Sequence, residues 1–277
     1  MAIKIPKLKV VFLLSLFMLL ASANVLAQGD LMILPKRLVF DGNERSKEIN
    51  LVNTGSETAT YGISLINYRM TEDGDFEEVT VPDEGQRFAD GFLRFYPRQV
   101  TLGPREAQTV RVQVTRTGNM TTGEYRSHIY FRAIEDQTAL GAETQETDQD
   151  GISINIRAVF GISIPTIIRN GQSTTSIELS DLSLDISGDT PVLTTTINRS
   201  GNMSVYGALE VTHIAPDGKR TLVGGVKGVS VYTPNERRIF SLPLRTEGLN
   251  MNLGKLVVTY KDEGTNVSDT DELELEA

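Results

Sequence analysis

Between Gly151 and Pro165 the chain reads GISINIRAVFGISIP. The even positions hold Ile152, Ile154, Ile156, Ala158, Phe160, Ile162 and Ile164, while most odd positions are polar or small. A period of two with one apolar face is the mark of a β-strand. At ~3.3 Å per residue this stretch would extend roughly 45 Å, beyond the usual length of a strand in a globular domain. The length raises a question of placement: the row is either buried whole within the protein or offered in part to another chain.

The rest of the pattern is also strand-like. Leu31 to Phe40 is extended around Pro35, and Lys47 to Val52 alternates until the turn signal Asn53-Thr54-Gly55. Tyr61 to Arg69, Phe92 to Tyr96 and Val110 to Val114 follow. Tyr125 to Ile134, YRSHIYFRAI, is rich in aromatic and β-branched residues and reads as an interior strand. Glu135 to Asp150 carries no basic residue and reads as an exposed acidic loop. Arg169 to Thr175, RNGQSTT, has linker composition. Beyond it, strands are expected at Ile177 to Ile186, Val192 to Ile197, Ser204 to Ile214, Thr221 to Val223, Val229 to Tyr232, Arg238 to Leu244 and Lys255 to Tyr260. Turn signals about every 8–12 residues between them suggest a β-sandwich. The predicted fold class is all-β, with two immunoglobulin-like sandwiches after a leader. The expected boundaries are residues 1–27 for the leader, 28–169 for the first domain and 170–277 for the second.

The leader changes the setting. Lys4, Lys7 and Lys9 precede an apolar run from Val10 to Leu20, interrupted only by Ser15, and Val25-Leu26-Ala27 supplies small residues before Gln28. This is the pattern of a cleaved secretory signal peptide, and the run is short of the ~20 residues that span a bilayer. No later segment reaches that length, so no stable membrane insertion is expected. Without the three leader lysines, 24 basic residues face 36 acidic ones, a formal charge of −12. So acidic a chain repels polyphosphate and argues against nucleic acid as a partner. With no cysteine there is neither a disulfide framework nor thiol chemistry, and stability must come from buried cores.

Catalytic signatures do not emerge. The two histidines, His128 and His213, lie within strand patterns with no ligating neighbours at metal spacing. They are expected to be structural. No GxSxG or HExxH motif occurs, and the acidic groups around Asp73 and Asp75 or Glu143 to Asp150 lack the ligand ladder of a calcium loop. Neither enzyme activity, cofactor nor metal is expected, which leaves binding. An accessory carbohydrate-binding module would want an exposed aromatic platform, and the chain has no tryptophan.

Several segments are specific. LPKRLVFDGNERS (34–46) runs into KEINLVNTGSETATYGISL, FLRFYPRQVTLGP spans 92–104, EYRSHIYFRAI spans 124–134, and the long alternating strand follows. In this order they resemble the PapD-like periplasmic pilus-assembly chaperones, from Leu31 to Asn170. Beyond Ser173 the likeness is architectural only. The resemblance implies two immunoglobulin-like domains set at an angle and a partner that is a secreted pilus or surface-fibre subunit lacking its last strand. It implies that the long strand donates its apolar row to that subunit, and that the complex is handed to an outer-membrane usher. Ile152, Ile154 and Ile156 are the donor residues on this reading, and Phe160, Ile162 and Ile164 are expected in the core. The donor row is also a candidate for self-association of the free protein.

The resemblance further implies basic residues that anchor the subunit's C-terminal carboxylate in the cleft between domains. Arg37 matches the family arginine by its place before Leu38-Val39-Phe40-Asp41-Gly42, and a guanidinium there can grip a carboxylate with two parallel bonds. The family's second anchor is a lysine, and here the chain departs. Aligning TIIRN with the strand's end puts that position on Pro165, aligning NIRAVF puts it on Arg157, and Arg169 is a third candidate beside the hinge. Arg126 stands where the family tends to carry an acid used in an interdomain salt bridge. The alternative function is a structural or adhesive envelope protein with the long strand wholly internal.

Overall fold

The structure, a computed structural model, describes residues 31–134 and 161–275. The first part of the chain forms β1 (Leu31–Leu34), β2 (Leu38–Asp41), β3 (Ser46–Asn53), β4 (Ala59–Ile66), β5 (Tyr68–Met70), β6 (Phe76–Glu78), β7 (Leu93–Tyr96), β8 (Gln99–Leu102), β9 (Ala107–Val114), β10 (Gly123–Ile134) and β11 (Gly161–Asn170). The second part forms β12 (Ser176–Asp185), β13 (Val192–Ser200), β14 (Val205–Ile214), β15 (Arg220–Val231), β16 (Arg237–Pro243), β17 (Gly254–Asp262) and β18 (Ser268–Leu275).

Strands up to β11 build one sandwich from a sheet of order β1-β3-β9-β7 and a sheet of order β2-β11-β10-β4-β8. Its core is an alternating set that includes Leu38, Phe40, Ile49, Leu51, Leu102, Val110, Val112, Ile129 and Phe131. Strands from β12 onward form a second pair of sheets, β12-β13-β16 and β15-β14-β17-β18, around a separate core that includes Leu193, Ile197, Leu209, Val211, Leu256 and Tyr260. Two cores with no shared residue are what this length needs in the absence of disulfides. Among the described residues no helix is long and apolar enough to cross a membrane.

Pro35 separates β1 from β2, so one extended segment serves both sheets of the first sandwich. β10 is buried at seven consecutive positions from Gly123 to Ile129, unlike the alternation of its neighbours. One of its faces meets the first core, and the other meets the second sandwich. That second face carries Glu124, Arg126 and His128.

Several elements differ from the expectation. The two short strands expected at Thr221 to Val223 and Val229 to Tyr232 are one strand, β15, because Gly224, Gly225 and Gly228 sit in a bulged ladder rather than a turn. β18, SDTDELEL, is not among the expected strands because its polarity hides the alternation; it is an edge strand whose Glu272 and Glu274 point outward while Leu273 and Leu275 pack on the second core. β8 was missed between Pro97 and Pro104, being only four residues long. Arg169 and Asn170, read as linker, still pair with Glu124 and Gly123. Pro165 lies inside β11, which a sheet tolerates where the neighbouring side is unpaired.

Candidate functional site

The sheet face turned toward the second sandwich is built in three cross-strand rows. Thr166 to Arg169 of β11 pair in parallel with Leu38 to Asp41, and β10 pairs antiparallel on the other side. This register aligns Asp41, Arg169 and Glu124 in one row, and Val39, Ile167 and Arg126 in the next. Two residues further, Pro165 faces His128, and Arg37 immediately precedes Leu38, where the pairing of β2 with β11 begins. Residues distant in sequence thus form one surface, because alternate positions of adjacent strands point the same way.

The first row is a structural joint. The Glu124 side chain is fully buried and accepts from the Ser204 backbone N–H at 3.0 Å, from the Ser204 hydroxyl, and from Arg169 Nε at 3.3 Å. Arg169 Nη2 also donates to the Ser204 carbonyl at 2.8 Å. Ser204 Oγ in turn accepts from the Thr233 N–H at 3.0 Å. Arg199 holds the two receiving loops together, donating to the carbonyls of Asn235 and Gly201 at 2.8 Å each and of Met203 at 3.1 Å. A second bridge comes from the β5–β6 hairpin. Asn235 Nδ2 donates to the Met70 carbonyl at 2.8 Å, the Ile239 N–H donates to the Glu72 carbonyl at 2.8 Å, and Arg237 pairs with Glu72 at 2.8 Å. The middle row supplies a small apolar plug of Val39, Ile167, Met70 and Tyr232.

The third row opens into a cleft of about 510 Å³ lined by Arg37, Lys36, Tyr68, Phe76, His128, Pro165, Tyr206 and Tyr232. The Arg37 guanidinium lies 4.4 Å from the centre of the Tyr206 ring, 5.5 Å from that of Tyr232, and donates to the Tyr232 hydroxyl at 3.3 Å. Stacking on aromatic faces fixes its direction without neutralising it, and no carboxylate among the described residues pairs with it. His128 packs edge-on against Tyr68 and Phe76, with centroids 4.9 and 5.8 Å away. Burial, joined by Arg126 and then Arg37, lowers its pKa to about 3. It is therefore a neutral wall of the cleft. A second cavity of about 580 Å³ lies on the other side of Arg37, toward Arg169 and Asp262.

At the cleft, β11 is an edge. From Gly161 to Pro165 it pairs with β10, but β2 joins its other side only from Thr166 onward. Alternate backbone groups on that free side have no neighbouring strand among the described residues. The even-numbered row loses its cover in the same direction. Ile164 is 3% exposed, as expected of a core residue, whereas Ile162, also expected in the core, is 38% exposed.

Arg37 and Arg169 thus both belong to the interdomain surface, but only Arg37 lacks a carboxylate partner. Ile152, Ile154, Ile156 and Arg157, with Phe160 and the acidic loop, lie outside the described residues. Glu124, the acid of the joint, is not among the site residues expected from the sequence, although it stands two positions before Arg126. The alternation of Glu124, Arg126 and His128 against Tyr125, Ser127 and Ile129 was the available signal: a polar face on a strand with an apolar opposite face.

No family model and no curated protein matches the sequence. Solved structures similar in fold include the YadV chaperone, at 11% identity and a TM-score of 0.46 over 88% of this chain and 100% of that one. The CupB2 chaperone of Pseudomonas aeruginosa is 14% identical, with a TM-score of 0.41 over 88% and 100%. The CsuC–CsuE chaperone–tip adhesion subunit complex of Acinetobacter baumannii is matched at 11% identity and a TM-score of 0.42, over 88% of this chain and 98% of that one. Likeness at this level leaves function to be argued from the residues of this chain.

Proposed function

We propose that the protein is an exported, periplasmic chaperone that captures pilus or surface-fibre subunits by lending them a strand. The observation that carries this reading is the side of β11 between Gly161 and Pro165 that has no neighbouring strand among the described residues, with Arg37, which has no carboxylate partner among them, at its end. A partner strand laid along that edge would satisfy its open backbone groups, and its terminal carboxylate would arrive at the guanidinium. Upstream of the edge, Ile152, Ile154 and Ile156 continue the apolar row into the partner's open groove. Burying three such side chains contributes about 5–8 kcal/mol before the costs of association. Arg37 is the carboxylate anchor. Arg169 is a joint residue, since its guanidinium is engaged by Glu124 and Ser204, and Arg157 lies outside the described residues. Handover of the complex to an outer-membrane usher, and self-association through the same row when no subunit is present, belong to this proposal.

The test is a pull-down of the mature protein from its native envelope fraction. Wild type is compared with the double variant Ile154→Asp, Ile156→Asp, with the melting temperature of each measured first. A small secreted protein should accompany the wild type and be lost from an equally stable variant. Recovery of both proteins alone, or unfolding of the variant, would place the row in the core and sink the reading.

A further inference from the structure

Past the cleft, the outward face of β10 continues to Tyr130 and Arg132. Their cross-strand neighbours are all small. Tyr130 stands between Ser163 of β11 and Ser64 of β4, and Arg132 stands between Gly161 and Gly62. The Tyr130 ring leans across this floor toward β11. A Cβ on Gly161 would overlap the tyrosine hydroxyl and two adjoining ring carbons, so the tip of the ring fills the space where a side chain of β11 would stand. Gly161 is not among the glycines of positive φ, so no left-handed backbone requires it. Glycine inside a strand weakens the strand and marks a place of close approach. Here the group that approaches is the tyrosine.

The direction of that tip carries the argument. Paired strands lie ~4.8 Å apart, so a hydroxyl above β11 has moved one full strand away from its own backbone. The next position along is the side of β11 that has no neighbouring strand among the described residues. Aromatic side chains reach diagonal neighbours across a strand pair. Tyr130 is half-buried, and its hydroxyl enters no hydrogen bond among the described residues.

We infer that the Tyr130 hydroxyl reads the captured strand: reaching over Gly161, it hydrogen-bonds a serine or threonine side chain on the outward face of the strand laid along β11. This inference rests on the strand-capture reading above. The edge of β11 offers only backbone bonds, which a strand of any sequence can make. The apolar row of Ile162 and Ile164 lies on the opposite face. Tyr130 therefore adds a selection between side chains that neither the backbone nor the apolar row supplies.

A tyrosine that only shielded a strand glycine would use its ring and not its hydroxyl, and the experiment separates the two. The probes are two peptides, each with two N-terminal lysines followed by eight residues. In one, threonine alternates with valine; in the other, alanine alternates with valine. Both are titrated calorimetrically against the mature protein. Valines face the apolar side, and threonines or alanines face Tyr130. Tyr130→Phe keeps the ring and removes the hydroxyl. The affinity ratio of the threonine to the alanine peptide should be about three- to tenfold larger in wild type than in Tyr130→Phe, the scale of one net hydrogen bond. Affinity for the alanine peptide should not change. Gly161→Ala, whose methyl group displaces the ring, should lose the same preference, and Ser163→Ala should keep it.

Equal ratios in wild type and Tyr130→Phe would overturn the inference with strand capture intact. So would a preference that survives in Gly161→Ala, or one lost only in Ser163→Ala. A melting temperature of Tyr130→Phe well below that of wild type would assign the hydroxyl to stability and overturn it likewise. If Gly161→Ala fails to fold, Tyr130→Phe alone decides. Binding of neither peptide by wild type would count against strand capture itself, and the inference would fall with it.

Discussion

The interdomain joint should fail in a measurable way when Glu124 loses its charge. Glu124→Gln preserves shape and one carbonyl acceptor, so it isolates the charge. In the native protein the carboxylate, fully buried, accepts from two groups of Ser204 and from Arg169 Nε, and the Arg169 side chain is itself only 10% exposed. Breaking such a buried pair by removing one partner typically costs 3–5 kcal/mol, because the other charge stays behind uncompensated. Arg169 keeps its bond to the Ser204 carbonyl at 2.8 Å, and glutamine keeps an acceptor, so about 2–3 kcal/mol is the expected loss. For a protein of this size that is a fall of roughly 4–12 °C in melting temperature. Calorimetry should also show the two sandwiches beginning to melt separately, since the joint couples two otherwise independent cores. The double change Glu124→Gln, Arg169→Met should cost less than the sum of the single changes, because it removes the stranded charge along with its partner. A loss below 1 kcal/mol with an unchanged single transition would refute the joint as described.

Two further predictions test other parts of the structure. The depressed pKa of His128, about 3 against an ordinary 6.5, means the unfolded chain takes up a proton that the folded one refuses. Its contribution to stability is therefore full above pH 6.5 and is lost as the pH falls toward 3, at up to about 1.4 kcal/mol per pH unit. Chemical denaturation of wild type and His128→Gln across that window should show the wild-type advantage shrinking with acid, and parallel curves would contradict it. Asn53 is buried at the end of β3, donating to the Glu57 and Leu102 carbonyls at 2.7 and 3.0 Å and accepting from the Gly55 N–H at 2.9 Å. Asn53→Ala should cost about 2–3 kcal/mol in urea unfolding, and a shift under 0.5 kcal/mol would show that the turn holds without it.

The periodicity of the chain was enough to define its strands wherever apolar and polar residues alternate, because that alternation is local: neighbouring side chains point to opposite faces of any strand. It was enough for two all-β units and for the turn at Asn53. It misled where polarity and strand formation part company, as in the acidic β18, or where glycine marks a bulge rather than a turn, as in β15. Arg37 was legible as a residue of the cleft because the segment it stands in, with an apolar pair behind it, resembles a known one. The rest of the site was not. Arg37, His128 and Pro165 meet only because β11 lies between β2 and β10, and Tyr206 and Tyr232 reach them only because the second sandwich docks on that face. Those pairings join positions tens to almost two hundred residues apart, and strand pairing over such distances leaves no local pattern to read. The sequence by itself determined which residues face which way along each strand. The tertiary structure alone decided which faces meet, where β11 has no neighbouring strand among the described residues, and that Arg37 reaches the cleft on two tyrosine rings rather than on an acid.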